Sequence, residues 1–162
     1  MNPKIIPRGK LPSLVRSLRK QDKKIVFTNG CFDLLHVGHL RYLEKAKALG
    51  DLLVVGVNSD DSVREIKGPR RPLLPLRERM ELLAGLSCVD YVTSFDEPTP
   101  LGLITLLKPD VLAKGGDWTP ETTVGRETVE QSGGRVVILP YIEGTSTSHL
   151  IDIICRRYAD RN

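Results

Sequence analysis

Two histidines stand three residues apart in the stretch TNGCFDLLHVGHLRYLEKAK, and the whole chain contains only three. His36 and His39 follow a glycine-containing turn and open a segment with the spacing of an amphipathic helix. Positions i and i+3 share one face of a helix, and Gly38 between them lets a bulky group approach the backbone. The free N–H groups and positive dipole end of a helix N-terminus favour anions, and two imidazoles add hydrogen-bond donors. The spacing therefore predicts a phosphate-binding site.

Two other interpretations of the histidine pair stay open. The pair could ligate a metal ion, although neither a third ligand nor an HExxH pattern accompanies it. It could also be structural, with both imidazoles satisfying nearby backbone groups. We expect no protein-held metal at these residues.

The elements that must position the histidines alternate along the chain. Apolar, β-branched runs predict strands at 24–29, 52–58, 91–95, 110–114 and 135–140. A short basic helix is expected near 11–21, and helical spacing follows at 40–49, 76–86, 99–108, 123–133 and 146–158. This alternation predicts an α/β fold with an open, parallel, five-stranded sheet and helices on both faces. We expect one domain over residues 1–162, with its core at about 24–158.

Polar segments follow four of the predicted strands. They are residues 29–33, 58–62, 114–118 and 144–148, which are rich in glycine, carboxylates, amides and hydroxyls. Ligands of open parallel sheets bind outside the carboxyl ends of the strands. We therefore expect the four segments to converge on one crevice.

Composition excludes several classes of protein. The chain is 40% hydrophobic and 27% charged, and no apolar run approaches a membrane span, which is typical of a soluble protein. The N-terminal residues lack the pattern of a secretory signal. Three cysteines without CxxC spacing argue against a disulfide framework or a zinc knuckle, so we expect a cytoplasmic location.

The charge balance indicates small anionic ligands rather than nucleic acid. The formal net charge is +4, but the basic residues are dispersed, and aromatic residues make up only 5%. We expect neither nucleic acid nor a membrane among the partners. No GxGxxG motif follows the first strand, which argues against a dinucleotide-binding domain.

The segments Gly30-Cys31-Phe32-Asp33 and His36-Val37-Gly38-His39 together resemble the signature of the HxGH nucleotidyltransferase superfamily. The resemblance continues through residues 57–60, 74–80, 111–118 and 144–151, and covers about 24–158. In this combination the chain is similar to the adenylyltransferase module of bifunctional heptose 7-phosphate kinase/heptose 1-phosphate adenylyltransferases, and we expect it here as a stand-alone module. Two departures concern Ser148 and Trp118, which stand where the family commonly has threonine and tyrosine.

The resemblance implies a Rossmann-like nucleotidyltransferase fold and a reaction. AMP would pass from ATP to D-glycero-β-D-manno-heptose 1-phosphate, giving pyrophosphate and ADP-heptose for lipopolysaccharide or other surface glycans. Mg²⁺ would accompany ATP and bridge phosphate oxygens. The alternatives are a related transferase, such as a cytidylyltransferase acting on glycerol 3-phosphate or an FAD synthetase-like enzyme, and a non-catalytic nucleotide-binding module. Relatives of this size suggest a homo-oligomer, with a dimer favoured.

Site residues also follow from the resemblance. The catalytic set implied is His36, His39, Lys47 and Arg79, with Arg77 as the competitor of Arg79. Nucleotide and phosphate contacts are implied for Thr28, Gly30, Cys31, Phe32, Asp33, Gly38, Lys114, Gly115, Asp117, Thr145, Ser146, Thr147 and Ser148. The candidates for the sugar side are Asn58, Asp60 and Trp118.

Several of these residues have a structural alternative. Asp33, Asn58 and Asp60 could simply shape turns or cap helices. Lys47 could be a solvated helix residue. One hydroxyl among residues 146–148 is expected to cap the last helix, while three hydroxyls exceed what capping requires.

Overall fold

The computed structural model describes residues 2–116, 118–140, 144 and 146–159. Within them, five parallel strands form one sheet: β1 (Ile25–Gly30), β2 (Leu52–Asn58), β3 (Tyr91–Phe95), β4 (Val111–Gly115) and β5 (Arg135–Leu139). The helices are α1 (Leu11–Lys20), α2 (Val37–Lys47), α3 (Asp60–Lys67), α4 (Leu76–Gly85), α5 (Leu101–Leu107), α6 (Arg126–Gln131) and α7 (Thr147–Tyr158), and a 3₁₀ turn, Arg8–Lys10, precedes α1. The predicted α/β architecture with a five-stranded parallel sheet is confirmed.

Both faces of the sheet are covered, because successive side chains of each strand point to opposite faces. Val26 belongs to a core cluster that includes Leu43 of α2 and Leu83 of α4. Phe27, the next residue, belongs to a second cluster that includes Leu11 of α1 and Leu103 of α5. The nearly continuous apolar runs of the strands are thus explained by helices on both sides.

A helix that the sequence did not predict, α3, begins within the polar segment 58–62. Ser59 caps α3, and its hydroxyl accepts a hydrogen bond from the backbone N–H of Ser62. Asp60 and Asp61 lie in the first turn, where carboxylates complement the helix dipole. The same residue types that favour a polar loop also favour a helix start, so local composition did not separate the two.

The order of the strands in the sheet indicates where a ligand would bind. The order is β3-β2-β1-β4-β5, so the chain runs outward from β1 in one direction and then returns to β4 on the other side. The connections after β1 and β4 therefore diverge at the carboxyl edge, which is where open α/β sheets bind ligands. α2 begins at this point, seven residues after β1 ends at Gly30.

None of the helices in the described part of the chain combines the length and apolar character that a membrane crossing requires.

Candidate active site

A cavity of about 450 Å³ opens at the carboxyl edge of the sheet. It is bounded by the β1–α2 connection, the first turns of α2 and α7, the end of α3 and the residues that follow β4. Thirteen predicted site residues line it: Gly30, Cys31, Phe32, Asp33, His36, Gly38, His39, Lys114, Gly115, Trp118, Ser146, Thr147 and Ser148. Three of the four polar segments named from the sequence therefore meet in one place.

The two histidines lie at the N-terminus of α2. His36 is the N-cap residue, and its Nδ1 accepts a hydrogen bond of 3.1 Å from the backbone N–H of Gly38. In the neutral ring the proton must then reside on Nε2, which is left as a donor. The rings of His36 and His39 stack with centroids 3.9 Å apart and an interplanar angle of 27°. Phe32 contacts the other side of His39, with ring centroids 5.4 Å apart.

Burial keeps both imidazoles neutral near pH 7. Burial lowers the pKa of His36. Burial, together with the neighbouring His36, lowers the pKa of His39 to about 4. His39 Nδ1 is buried and has no hydrogen-bond partner among the described residues. The pair therefore presents neutral N–H donors rather than two cations.

Lys114 supplies a cationic group at the end of β4. Its side chain is buried, its Nζ donates a hydrogen bond to Oδ1 of Asn29, and it lies 5.7 Å from the centre of the Trp118 ring. Burial lowers the pKa of Lys114 to about 8. Trp118 itself is 48% exposed, so a flat apolar surface is open to a ligand beside the ammonium group.

A second helix N-terminus faces the same cavity. Ser146 caps α7, and its Oγ accepts a hydrogen bond of 3.0 Å from the backbone N–H of His149. The hydroxyl of Thr147 donates to the backbone carbonyl of Leu34 at 3.4 Å. Capping thus uses Ser146, while the Ser148 side chain lines the cavity and is exposed. Two dipoles, those of α2 and α7, favour an anion here.

Thr28 is not among the residues that line the cavity, and its predicted contact with nucleotide stays a prediction. Thr28 is fully buried, and its hydroxyl lies 2.7 Å from that of Tyr42, which donates to the carbonyl of Ala113. The Tyr42 ring also packs on Gly115, where an added Cβ would lie 3.0 Å from it. Sequence reasoning missed Tyr42, although its position three residues after His39 places both on one face of α2.

Asp33 holds a loop of the protein. Its carboxylate accepts backbone hydrogen bonds from Leu73 at 2.8 Å and Leu74 at 2.9 Å, and it pairs with Arg71 at 2.5 Å. Burial alone would raise the pKa of Asp33, but these hydrogen bonds outweigh it and hold the pKa below its usual value. This carboxylate positions the segment that precedes α4, and its predicted nucleotide contact stays a prediction.

Arg79 makes its contacts inside the protein and is not among the residues that line the cavity, and its predicted phosphate contact stays a prediction. The side chain is fully buried, and its nitrogens donate to the carbonyls of Leu74, Cys31 and Asn58, at 3.0, 2.5 and 2.8 Å. Its Nη2 also pairs with Asp60 at 2.7 Å. All three nitrogens are used inside the protein, so Arg79 fastens α4 to the ends of β1 and β2.

The hydrogen-bond network around Arg79 also includes two of the predicted sugar-side residues, Asn58 and Asp60. Asn58 is buried and donates to the hydroxyl of Ser62 at 3.0 Å, and Asp60 serves the ion pair with Arg79. Neither lines the cavity. Of the three sugar-side candidates, only Trp118 does.

Lys47 lies at the end of α2 remote from the histidines, and its predicted catalytic role stays a prediction. Its Nζ pairs with Asp90 at 2.7 Å and donates to the carbonyl of Asp51, directly before β2. Lys47 ends α2, whereas His36 begins it. Ten residues of helix span about 15 Å, which places Lys47 at the amino edge of the sheet.

The cavity also contains residues that sequence reasoning missed. Besides Tyr42, these are Ile66, Lys67, Arg71 and Pro140. The basic segment KGPRRP was a usable signal, because cationic side chains beside a predicted phosphate site suggest a ligand contact. The predicted residues Asp117 and Thr145 lie outside the described residues.

The described residues do not fit a metal ion held by protein ligands alone. Among them, no three side chains of His, Cys, Asp or Glu lie together as a set that could hold one. The carboxylates nearest the site are engaged, Asp33 with Arg71 and Asp60 with Arg79.

Comparison with known proteins identifies the family. Residues 27–146 match the model of the cytidylyltransferase-like family. The chain is 56% identical over 155 residues to the bifunctional protein HldE of Syntrophotalea carbinolica, covering 96% of this chain and 32% of the relative. The chain thus spans about a third of the length of the curated relatives it matches.

Two solved structures share this fold. The lipopolysaccharide core biosynthesis protein of Thermoplasma volcanium superposes with a TM-score of 0.63 at 29% identity, covering 76% of this chain and 99% of that one. Pantoate-beta-alanine ligase of Francisella tularensis shares the fold, with a TM-score of 0.60 at 18% identity, covering 96% and 77%. The chain therefore belongs to the cytidylyltransferase-like family of nucleotidyltransferases.

Proposed function

We propose that this chain transfers AMP from ATP to D-glycero-β-D-manno-heptose 1-phosphate, releasing pyrophosphate and forming ADP-heptose. One observation carries the reaction type: two stacked, neutral histidines open α2 in a cavity that a second helix, α7, also faces with its N-terminus. The heptose assignment is supported by the resemblance of the sequence to heptose 1-phosphate adenylyltransferases, and by 56% identity to a bifunctional protein HldE over nearly the whole chain. The likeness to a lipopolysaccharide core biosynthesis protein agrees with it.

The acceptor needs no strong base. A phosphate monoester has a second pKa of about 6, so its oxygen is mostly deprotonated at neutral pH and can attack the α-phosphorus of ATP directly. The bond from that phosphorus to the β-phosphate oxygen breaks, and pyrophosphate leaves. Catalysis then depends on alignment of the attacking oxygen with the leaving group and on stabilisation of spread negative charge.

The protein groups suit that task. Nε2–H of His36 donates to a phosphate oxygen, and the stacked ring of His39 lies in the same first turn of α2. Because both rings are neutral, they act by hydrogen bonding and do not supply a proton to pyrophosphate. Lys114 adds a positive charge beside the nucleotide, and the N-termini of α2 and α7 add their dipoles.

Members of this family that act on ATP use a divalent cation with the nucleotide, and we propose Mg²⁺. Bound together with ATP, it would neutralise charge on the triphosphate. No step is assigned to a metal held by the protein.

A pyrophosphate-release assay over two nucleotides and two acceptors tests the proposal. ATP with the heptose phosphate should react fastest, and CTP with glycerol 3-phosphate should be slower by a factor of about 10⁴ if specific sugar hydroxyls are hydrogen-bonded. If CTP with glycerol 3-phosphate reacts as fast or faster, the chain is a cytidylyltransferase. If no pair releases pyrophosphate above the rate of the His36→Gln variant, a non-catalytic nucleotide-binding role is favoured. A homo-oligomer, with a dimer favoured, stays a prediction that analytical ultracentrifugation tests.

A further inference from the structure

Among the described residues, Arg71 on the cavity wall is held through one of its three nitrogens. Its side chain is 14% exposed, and its Nε pairs with the fully buried carboxylate of Asp33. Within the described part of the chain, neither Nη1 nor Nη2 of Arg71 makes a hydrogen bond or an ion pair. The four N–H groups on Nη1 and Nη2 of this largely buried guanidinium therefore have no partner among the described residues.

This arrangement differs from that of Arg79, eight residues further along the chain. Arg79 uses Nε, Nη1 and Nη2 within the protein, as expected for an arginine with a structural role. Buried donors without partners cost free energy, so an arginine left half-satisfied beside a cavity suits a ligand that accepts the remaining bonds.

The guanidinium is also oriented in advance. Asp33 accepts hydrogen bonds from the backbone N–H groups of Leu73 and Leu74, two and three residues after Arg71, so the carboxylate is tied to the loop that carries Arg71. A planar group held at Nε presents its two outer nitrogens side by side. That edge matches two oxygens of a phosphate group.

Arg71 lies on the β2 side of the histidines. The segment from Ile66 to Arg71 follows β2, while Lys114 lies at the end of β4 and α7 follows β5, on the other side of β1 in the sheet. Trp118, a sugar-side candidate from the sequence, follows β4, so we group its exposed ring with the N-terminus of α7 as features suited to the nucleoside triphosphate. In an in-line transfer the attacking oxygen and the departing pyrophosphate lie on opposite sides of the α-phosphorus. If the triphosphate occupies the β4 side, the acceptor occupies the β2 side.

We propose that Arg71 binds the phosphate of the acceptor through Nη1 and Nη2 and thereby selects phosphorylated acceptors. The proposal rests on the proposed function, because it assigns one substrate of that reaction to one wall of the same cavity. The exposed Lys67 lines this wall as well and adds positive charge to it. Asp33 acts through Arg71 and is a positioning residue.

Arg71→Lys and Arg71→Gln test the assignment against Arg70→Gln. Arg70 is adjacent, exposed and outside the cavity lining, so its variant removes the same charge without touching the site. The Michaelis constants for heptose 1-phosphate and for ATP are measured separately. Binding of heptose 1-phosphate is measured by calorimetry in the presence of α,β-methylene ATP, which cannot transfer AMP.

Both Arg71 variants should weaken acceptor binding by roughly 10–100-fold, with the KM for ATP changed less than about threefold and Arg70→Gln like the wild type. Arg71→Lys keeps a positive charge beside Asp33 but lacks the paired Nη1 and Nη2 donors. It therefore measures the loss of those donors even if Arg71→Gln folds poorly. The assignment is overturned if acceptor binding by Arg71→Lys matches the wild type, if the KM for ATP rises as much as that for the acceptor, or if the wild type binds no heptose phosphate. If the wild type binds it but releases no pyrophosphate with ATP, the proposed function fails, and calorimetry still decides the role of Arg71.

Discussion

The imidazole rings of His36 and His39 are stacked with centroids 3.9 Å apart, one on the N-cap residue of α2 and the other in its first turn. The cap hydrogen bond from Gly38 fixes the tautomer of His36, and Phe32 supports the outer face of His39. The two donors are therefore oriented before a ligand arrives. Preorganised donors of this kind are worth most when charge develops on phosphate oxygens.

Replacing either histidine should remove activity without unfolding the protein. His36→Gln and His39→Gln should each lower kcat by about 10²–10³, the effect of losing one oriented donor to a developing negative charge. The matched control is His149→Gln, because the third histidine lies on α7 outside the cavity lining. Steady-state pyrophosphate release measures the effect, and circular dichroism checks the fold. Near-normal kcat in either variant would remove that histidine from the mechanism.

The depressed pKa of His39 predicts a loss of stability in mild acid. Burial lowers its pKa to about 4, whereas the unfolded chain takes up the proton near 6.5. Between these values the unfolded state binds more protons, so the free energy of unfolding falls as pH decreases. From pH 7 to pH 5 this residue should account for up to about 2 kcal/mol. Urea denaturation at both pH values should show a smaller loss for His39→Gln; an equal loss would assign the acid sensitivity to other groups.

The lowered pKa of Lys114 leads us to expect weaker nucleotide binding in alkaline solution. Burial lowers its pKa to about 8, so in the free protein the ammonium is lost as pH rises through that value. ATP affinity should decline above pH 8, by at most about tenfold per pH unit, because one positive charge is removed from the site. Calorimetric titration from pH 7 to pH 9.5 measures it. Lys114→Arg keeps its charge over this range and should show a flatter profile; identical profiles would mean that another group titrates.

Replacing Arg79 should destabilise the protein, whereas replacing the neighbouring Arg77 should not. Arg79→Met leaves three buried carbonyls and Asp60 without their partner, so we expect a loss of about 3 kcal/mol in the free energy of unfolding. Arg77 lies on the same helix but is exposed, and Arg77→Met should stay within about 0.5 kcal/mol. Urea denaturation measures both. A stable Arg79 variant with selectively weakened ATP binding would instead restore the phosphate contact implied by family resemblance.

Lys47 should prove dispensable for turnover. Its ion pair with Asp90 is partly exposed, so Lys47→Gln should cost at most about 1 kcal/mol of stability. Because the residue lies at the amino edge of the sheet, kcat/KM should remain within about twofold of the wild type, as for Lys45→Gln on the exposed side of the same helix. A hundredfold drop confined to Lys47→Gln would show that the residue acts on the site after all.

The sequence by itself determined the architecture and the centre of the site, because both depend on local patterns. Strand runs with both faces apolar require helices on each side, and alternation of strands and helices requires parallel pairing. The HxGH spacing predicted both histidines at the start of a helix, where α2 begins. Their stacking was not predicted, because His36 is the extended N-cap residue rather than a member of the helix. The strand bounds lie within one residue of the predicted apolar runs.

Only the tertiary structure decided which charged side chains face the cavity. Arg71 and Arg79 are the same residue type, eight positions apart, yet one keeps free donors at a cavity and the other is used up inside the protein. Asp33 turned out to hold a loop forty residues away because that loop supplies two backbone donors and a guanidinium to it. Segments distant in sequence determine the burial and the hydrogen-bond partners of a charged group. The local sequence therefore does not predict them.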